Sequence, residues 1–241
     1  MFRNVGEFQV NQIYVGDCLE LMKKIPRETV DLIITDPPFA IEFKGRRANY
    51  HRKAENVLEG YNEIPKEEYY DFSLRWMKEA YRVLKRTGSM YVFSGWTNLK
   101  DVLNALDEAG FITVNHLIWK YQFGVFTRKK FVTSHYHILL VVKDRKMYKF
   151  NKIEHYPEDV IVMNREYWTN KVKTPNKLPL ELVKKLILFS SDEGDLVLDP
   201  FIGSGTVAVA SKITNRRYLG FEIVPSVAEF ARKRLSKTPE E

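Results

Sequence analysis

A buried strand that ends on a carboxylate is the feature of this sequence that most restricts its fold. Residues 31–40 read DLIITDPPFA, and the aliphatic run Leu32–Ile34 is typical of a strand covered on both faces. Because proline has no backbone N–H to donate, Pro37 and Pro38 predict that the strand ends at Asp36. Each residue before a proline is also kept out of the helical region. The Asp36 carboxylate is therefore expected at the edge of a sheet, on a stiff and extended segment.

Strands and helices alternate along most of the chain. Besides the strand that ends at Asp36, strands are predicted at 12–17, 89–95, 111–119, 134–144, 196–199 and 216–222. Helices are predicted at 18–25, 66–86, 98–109, 179–191, 203–213 and 225–235. This alternation is typical of a doubly wound α/β fold with a mostly parallel sheet, in which 134–144 is expected to run antiparallel to its neighbour. Residues 40–64 lack a sustained period and are interpreted as a long loop.

The length and composition indicate the class of protein. A chain of 241 residues can bury a full core, so we predict one domain over 1–241 with a small insertion at 145–173, where the sequence is polar and irregular. The chain lacks a secretory signal and an apolar run of membrane-spanning length, so we expect a soluble, cytoplasmic protein without a membrane partner. Its one cysteine, Cys18, excludes an internal disulfide and a cysteine-based zinc cluster, and no metal site is predicted.

The net charge of +7 is concentrated in one segment. Residues 120–152 contain nine basic residues against one acidic residue, interleaved with aromatic residues. This composition is typical of a surface that contacts phosphates and stacks on bases, and the alternative is a lysine-rich face that contacts only solvent. The predicted nucleic-acid contacts are Lys44, Arg46, Arg47, Arg52, Lys53, Lys120, Arg128, Lys129 and Lys130.

A second predicted strand also ends on an acid followed by proline, in the stretch LVLDPFIGSGTVAVA, whose acid is Asp199. Gly203 and Gly205 permit a ligand to approach the backbone closely, and the amides of a helix N-terminus follow them. Glu222 ends the next strand, where a carboxylate can accept both hydroxyls of a ribose. Ligands of doubly wound sheets bind beyond the carboxyl ends of strands where the strand order reverses, so Asp36 and Asp199 are expected to share one cleft.

Together, TDPPF and LDPFIGSGT resemble the motifs of the amino-group DNA methyltransferases, in the permuted class whose catalytic motif precedes the S-adenosylmethionine motif. The resemblance continues through EDVIVMNREYW, TPNKLPLELVKKLI and RRYLGFEI, and so covers most of the chain. It implies a seven-stranded, Rossmann-like methyltransferase sheet with a small DNA-recognition insertion. It also implies site-specific methyl transfer from S-adenosylmethionine to an amino group of double-stranded DNA, on a base turned out of the duplex. A homodimer and a cognate restriction endonuclease are left open as partners.

The resemblance also implies roles for single residues. In the family's catalytic motif the acid and the first proline carbonyl accept the hydrogens of the target amino group, and the aromatic residue stacks on the base. This motif corresponds to Asp36, Pro37, Pro38 and Phe39, with Pro38 as scaffold. The implied cofactor contacts are Asp17, Lys177, Asp199, Pro200, Phe201, Gly203, Ser204, Gly205, Thr206 and Glu222. The block TPNKLP departs from the family's usual pattern at Thr174, Asn176 and Leu178.

Two other classes of protein stay open at this point. A nucleic-acid-binding module with a vestigial cofactor pocket would not need the Asp36 carboxylate. An NAD-dependent oxidoreductase is the third class, since the glycine turn also fits the loose dinucleotide pattern G-x-G-x-x-A. Within the resembled family, aspartate at the first motif position is commoner in adenine enzymes than in cytosine enzymes. Asp36 therefore favours the adenine 6-amino group, with the cytosine 4-amino group as the alternative.

Overall fold

The computed structural model describes residues 4–40, 64–122, 124, 126–166 and 177–239. The strands in these ranges are β1 (Asn4–Val5), β2 (Phe8–Gln9), β3 (Gln12–Val15), β4 (Val30–Thr35), β5 (Leu84–Ser94), β6 (Ile112–Lys120), β7 (His135–Val142), β8 (Val160–Val162), β9 (Leu196–Asp199) and β10 (Arg217–Glu222). The helices are α1 (Cys18–Lys23), α2 (Tyr69–Val83), α3 (Leu99–Ala109), α4 (Leu180–Ser190), α5 (Thr206–Ile213) and α6 (Pro225–Ser236).

Eight of these strands form one sheet, in the order β3-β10-β9-β4-β5-β7-β6-β8. Only β7 runs antiparallel to its described neighbours, β5 and β6, which confirms the prediction for this segment. The chain passes from β4 to β5 on one side and from β9 to β10 on the other, so the strand order reverses between β4 and β9. The predicted doubly wound α/β fold is confirmed, and its switch point lies between the two strands that end on aspartate.

The sheet has one strand more than the predicted seven. The additional strand, β8, comes from the predicted insertion and pairs in parallel with β6, where Trp119 faces Ile161 in register. Three residues are too few for a readable alternation, and Ile161 is the one buried residue of β8. β8 forms because the outer edge of β6 presents unpaired backbone groups that an added strand satisfies. Part of the predicted insertion is thus an edge strand of the sheet.

The predicted helix at 66–86 has different boundaries in the structure. Residues 66–68 form a 3-10 turn, α2 ends at Val83, and β5 begins directly at Leu84. Leu84 is buried and pairs with Val30 of β4, so strand pairing and burial override the helical periodicity of residues 84–86. The first strand of the βαβ unit therefore connects to the second through a helix with no separate loop at its C-terminus.

The two faces of the sheet carry separate hydrophobic cores. One core packs β4 and its neighbours against α1, α2 and α3, and the other packs them against α4, α5 and α6. Ile33 faces the first core while Leu32 and Ile34 face the second, and all three side chains are fully buried. The predicted strand with two covered faces is confirmed. Within the described ranges, none of the helices combines the length and apolar character needed to cross a bilayer.

Candidate active site at the carboxyl edge of the sheet

Three acidic side chains meet at the carboxyl edge of the sheet. Asp36 directly follows β4, Asp199 is the last residue of β9, and Glu222 is the last residue of β10. Because these strands are parallel neighbours, the three acids lie close together at the point where the strand order reverses. Burial, together with the charges of Asp36 and Glu222, raises the pKa of Asp199 to about 7. The structure thus brings together the two aspartates for which the sequence predicts a shared cleft.

Asp199 is buried and well supplied with hydrogen-bond donors. Its Oδ1 accepts hydrogen bonds from Thr35 Oγ1 at 2.8 Å and from the Phe201 backbone N at 3.0 Å. Pro200, between Asp199 and Phe201 in the sequence, is buried. The Phe201 ring lies edge-on to Trp76, with 5.5 Å between the ring centroids. The hydroxyl of Thr35 therefore connects the two acid-ended strands directly. The role of Thr35 was not predicted, although its place immediately before the acid in TDPPF was the available signal.

The Asp36 carboxylate has different surroundings. Its Oδ1 is buried and has no hydrogen-bond partner among the described residues. Burial raises the pKa of this carboxyl to about 7, and the positive charge of Arg165 opposes the rise. A buried polar atom without a partner costs free energy, and such atoms are rare in native structures. The site therefore presents an acceptor that a bound hydrogen-bond donor would satisfy.

Pro37, Pro38 and Phe39 continue the chain from Asp36. Pro37 is buried and Pro38 is half-buried, which agrees with a stiff segment against the sheet edge. Only 3% of Phe39 is exposed, and its ring centroid lies 5.9 Å from that of Tyr136 with 33° between the planes. The role of Phe39 as a stacking face for a base stays a prediction.

The glycine turn is organised around Glu222. Gly203 and Gly205 have φ angles of 49° and 81°, in the left-handed region that favours glycine. The Gly203 backbone N donates to Glu222 Oε2 and the Val224 backbone N donates to Oε1, both at 3.0 Å. Burial raises the pKa of Glu222. A Cβ on Gly205 would lie 3.0 Å from the Ala231 Cβ of α6, so glycine also permits close packing here.

A half-buried arginine in the last helix holds the other side of this turn. Arg234 Nη1 donates to Thr206 Oγ1 at 2.8 Å and to the Ser204 carbonyl at 3.2 Å. Burial lowers the pKa of Arg234. Ser204 and Thr206 are themselves buried, so their hydroxyls contribute to the support of the turn. Arg234 was not predicted, because its basic neighbours in ARKRLS resemble an ordinary solvated helix face.

Asp17 lies at the same edge of the sheet, after β3. Its Oδ1 accepts a hydrogen bond from the Leu19 backbone N at 2.7 Å, which caps α1. The Gly16 backbone N donates to the Glu222 carbonyl at 3.0 Å, so the ends of β3 and β10 are joined beside the acids. The Asp17 side chain is exposed and can reach a ligand above this edge. The contact with the cofactor that the family resemblance implies for Asp17 stays a prediction.

Lys177 lies in an ion pair. Its Nζ lies 2.5 Å from Glu166 Oε2, while Glu166 Oε1 accepts a hydrogen bond from the Leu180 backbone N at 2.8 Å. Glu166 thereby joins Lys177 to the N-terminus of α4. The predicted cofactor contact of Lys177 stays a prediction.

The predicted nucleic-acid contacts divide into three groups. Lys120 is half-buried, and its Nζ donates to the Tyr121 carbonyl at 2.7 Å. Arg128, Lys129 and Lys130 are exposed between β6 and β7, at the same edge of the sheet as Asp36. The remaining predicted contacts lie outside the described residues: Lys44, Arg46, Arg47, Arg52 and Lys53.

The comparison with known protein families identifies the family of this chain. An N6/N4 DNA methylase family model matches residues 30–233, which include both acid-ended strands and the glycine turn. The chain belongs to the DNA methylase family. As a DNA methylase, it is an enzyme that transfers a methyl group from S-adenosylmethionine to an amino group in DNA. This confirms the predicted methyltransferase class over the binding module and the NAD-dependent oxidoreductase.

Similar proteins match nearly the whole chain of this DNA methylase. The type II methyltransferase M.HpaI of Haemophilus parainfluenzae is 30% identical over 243 residues, which span 93% of this chain and 74% of that protein. The DNA adenine methyltransferase YhdJ of Escherichia coli K12 is 28% identical over 257 residues, spanning 94% of this chain and 83% of YhdJ. The crystal structure of the M1.HpyAVI–SAM complex matches with a TM-score of 0.72 and 26% identity, covering 93% of this chain and 98% of that one.

One further charged group of the methylase, Arg165, favours the ionised form of Asp36. Arg165 follows β8, and its guanidinium carbon is 3.9 Å from the ring centroid of Tyr121 and 5.3 Å from that of Tyr136. Its Nε is buried without a hydrogen-bond partner among the described residues. No sequence pattern singled out Arg165 within EDVIVMNREYW, because its position depends on the pairing of β8 with β6.

Proposed function

We propose that this DNA methylase transfers a methyl group to the 6-amino group of adenine at a specific site in double-stranded DNA, with Asp36 and the Pro37 carbonyl as acceptors of the amino hydrogens. The observation that carries the proposal is the buried Asp36 Oδ1, which has no partner among the described residues and lies where the strand order reverses. Such an oxygen suits a donor that arrives with the substrate.

The acceptors act on the nucleophilicity of the amino nitrogen. The lone pair of an exocyclic amino group is delocalised into the base ring, so the nitrogen attacks poorly. When Asp36 and the Pro37 carbonyl each accept one N–H, a pyramidal nitrogen is favoured and its lone pair is directed out of the ring plane. S-adenosylmethionine supplies a methyl group bonded to a positively charged sulfur, which leaves as a neutral thioether. The methylated nitrogen carries one surplus proton. Burial raises the pKa of Asp36 to about 7, so this carboxylate can accept the proton.

The acids and the glycine turn fit S-adenosylmethionine. The repulsion among Asp36, Asp199 and Glu222 contributes to the raised pKa of Asp199, and the sulfonium and ammonium charges of the cofactor would relieve it. A Cβ on Gly203 would meet only the Phe201 carbonyl, at 3.8 Å, so the turn leaves room beside its backbone. The residues proposed to hold the cofactor are Asp17, Lys177, Asp199, Pro200, Phe201, Gly203, Ser204, Gly205, Thr206 and Glu222.

The DNA is proposed to lie across the carboxyl edge of the sheet. Arg128, Lys129 and Lys130 are exposed at this edge, where they can contact phosphates on either side of the target base. The target base must leave the duplex to reach Asp36, and Phe39 is the proposed stacking partner. We assign recognition of the DNA sequence to 145–173 within a single domain, 1–241. A homodimer, a cognate restriction endonuclease and a cytoplasmic location stay predictions.

Adenine is favoured over cytosine by two observations. YhdJ, which is 28% identical, is named as an adenine methyltransferase, and the first motif position holds Asp36, as is commoner in adenine enzymes of the family. Digestion of methylated DNA to nucleosides and separation by mass is expected to give 6-methyladenine. A product consisting only of 4-methylcytosine would overturn the choice of base and leave the amino-methyltransferase class intact.

The test of the site is the variant Asp36→Ala. Methyl transfer to DNA is expected to fall by about 10²–10³-fold or more, because the main acceptor of the amino hydrogens is lost. Calorimetric affinity for S-adenosylmethionine is expected to stay within about threefold, which corresponds to less than about 0.7 kcal/mol. Asp144→Ala is the matched control, since Asp144 lies beyond the end of β7 at the opposite edge of the sheet. Labelled-methyl incorporation that survives in Asp36→Ala would show the mechanism to be wrong.

A further inference from the structure

The segment that carries Arg165 is fixed to the end of β6. The Met163 backbone N donates to the Lys120 carbonyl at 3.0 Å, and Trp119 Nε1 donates to the Met163 carbonyl at 2.8 Å. Two residues further on, the Arg165 backbone N donates to Gln122 Oε1 at 2.8 Å. These bonds continue the pairing of β8 with β6 beyond the last strand residue. The backbone of Arg165 is therefore positioned by the sheet.

The guanidinium group of Arg165 is positioned by aromatic rings. It lies over Tyr121, which is 3% exposed, with 3.9 Å between the guanidinium carbon and the ring centroid. Tyr136 is 5.3 Å from the same carbon and stacks on Trp119 at 5.7 Å with 18° between the planes. A cation over a desolvated aromatic face is stabilised by its attraction to the negative face of the ring. The aromatic rings thus hold the cation in place, while Arg165 Nε is buried with no hydrogen-bond partner in the described part of the chain.

This arrangement connects the edge strand to the catalytic loop. Tyr136 lies between Arg165 and Phe39, whose ring centroid is 5.9 Å away. Two effects act on the ionisation of Asp36 among the described residues: burial, which raises its pKa, and the positive charge of Arg165, which favours the ionised form. The charge of Asp36 in turn raises the pKa of its neighbour Asp199. Arg165 comes from the segment that the family resemblance assigns to DNA recognition.

We propose that Arg165 is a positioning residue of the methyl-transfer site: held over the ring of Tyr121, it keeps Asp36 in the charged, accepting form that the target amino group requires. The inference rests on the proposed function, in which ionised Asp36 accepts an amino hydrogen. A lysine could supply the charge, but its ammonium group lacks the planar face that stacks on a ring.

The test is the pH dependence of methyl transfer in Arg165→Met and Arg165→Lys, measured from about pH 5.5 to 9 with saturating S-adenosylmethionine and DNA. An arginine near a carboxylate lowers the pKa of that carboxylate. The acidic limb of the pH–rate profile, in which the rate rises as Asp36 loses its proton, is therefore expected to move up by ~1 pH unit in Arg165→Met. At a pH below both limbs the rate then falls about tenfold, and above them it approaches the wild-type rate. Arg165→Lys is expected to keep the wild-type limb. Arg86→Met is the control, since Arg86 pairs with Asp144 at the opposite edge.

A second measurement does not need activity. The ¹³C carboxyl resonance of Asp36, assigned by its loss in Asp36→Asn, is expected to titrate at higher pH in Arg165→Met than in the wild type. A rate that falls equally at every pH would indicate a merely structural role and would overturn the inference. A raised KM for DNA with an unmoved limb would indicate a phosphate contact and would overturn it too. An active Asp36→Ala variant overturns the proposed function itself, whereas an unmoved Asp36 titration overturns only the inference about Arg165.

Discussion

Asp36 and Asp199 end neighbouring strands and are both followed by proline, yet their carboxylates are bonded in opposite ways. Asp199 Oδ1 accepts hydrogen bonds from Thr35 Oγ1 and the Phe201 backbone N. Asp36 Oδ1 is buried without a partner among the described residues. Burial raises the pKa of both carboxyls to about 7. The difference lies in the donors that surround each oxygen.

This difference gives the two acids different roles: Asp199 stabilises the structure, whereas Asp36 has an acceptor oxygen that a bound substrate can use. One donor to Asp199 comes from Thr35, the last residue of β4, and the other comes from Phe201, in the turn that follows Asp199 itself. Asp199 therefore joins the two motifs. Leaving an acceptor unsatisfied costs stability, and such sites persist where a ligand completes them. The same strand–acid–proline pattern in the sequence therefore supports two functions, and only the neighbours of each carboxylate show which is which.

Among variants of the two aspartates, Asp199→Ala is expected to have the largest effect on stability and on cofactor affinity. The variant leaves Thr35 Oγ1 and the Phe201 backbone N without their acceptor in a buried place, which costs about 1–3 kcal/mol for each unsatisfied group. We expect a lower free energy of unfolding in urea and an affinity for S-adenosylmethionine at least about tenfold weaker by calorimetry, since about 1.4 kcal/mol is tenfold. Asp36→Ala is expected to keep the affinity for S-adenosylmethionine and to show no loss of unfolding free energy.

Thr35→Val is the graded control for this prediction. It removes one of the two donors to Asp199 and keeps the size of a fully buried side chain. The losses are expected to be smaller than in Asp199→Ala, at about 1–2 kcal/mol of unfolding free energy. If Asp199→Ala were as stable as the wild type and bound the cofactor equally well, the structural role of Asp199 would be refuted.

A smaller effect is expected from Asp36→Asn on the pH dependence of stability. Burial raises the pKa of Asp36 from its ordinary value of 3.8 to about 7, so between these values the folded state binds more protons than the unfolded state. Stability from this group is therefore present at low pH and is lost as the pH rises through about 7. The asparagine introduced by this substitution carries no charge to desolvate.

The expected result is a melting temperature about 2–4 °C above wild type at pH 8, which corresponds to ~1 kcal/mol for a protein of this size. The gain should shrink as the pH falls from about 7 toward 3.8, below which Asp36 is protonated in both the folded and the unfolded wild type. Asp199→Asn serves as the comparison, because the charged form of Asp199 is hydrogen-bonded and its replacement should give a smaller gain. An equal gain at pH 5 and pH 8 would contradict the assigned burial of the Asp36 charge.

The regular elements could be predicted because their patterns are local. The run Leu32–Ile34 and the two prolines after Asp36 are sufficient to place a buried strand and its end. The alternation of strands and helices then indicates a doubly wound sheet. The end of α2 at Val83 could not be predicted in this way, because pairing of Leu84 with β4 depends on a distant strand.

The parts of the site that escaped prediction depend on contacts between distant segments. β8 is a three-residue strand defined by its partner β6, and Arg165 reaches Asp36 only because that pairing forms. The bond from Thr35 to Asp199 spans 164 positions in the chain. The resemblance to a family could place Asp36, but it could not show which of the two aspartates lacks donors, since that is decided by side-chain geometry.

The pairing of β4 with β9 also has a consequence for how the protein is made. One edge of β4 can be completed only by a strand that is synthesised much later, as the 164-residue span of the bond from Thr35 to Asp199 shows. Contacts of such long sequence separation slow folding, because a large loop must close before the contact stabilises the chain. Until β9 is synthesised, the edge of β4 that pairs with it has no partner strand. Unpaired strand edges make partly folded chains prone to aggregate. The two motifs that make the active site thus come together only after β9 has been synthesised.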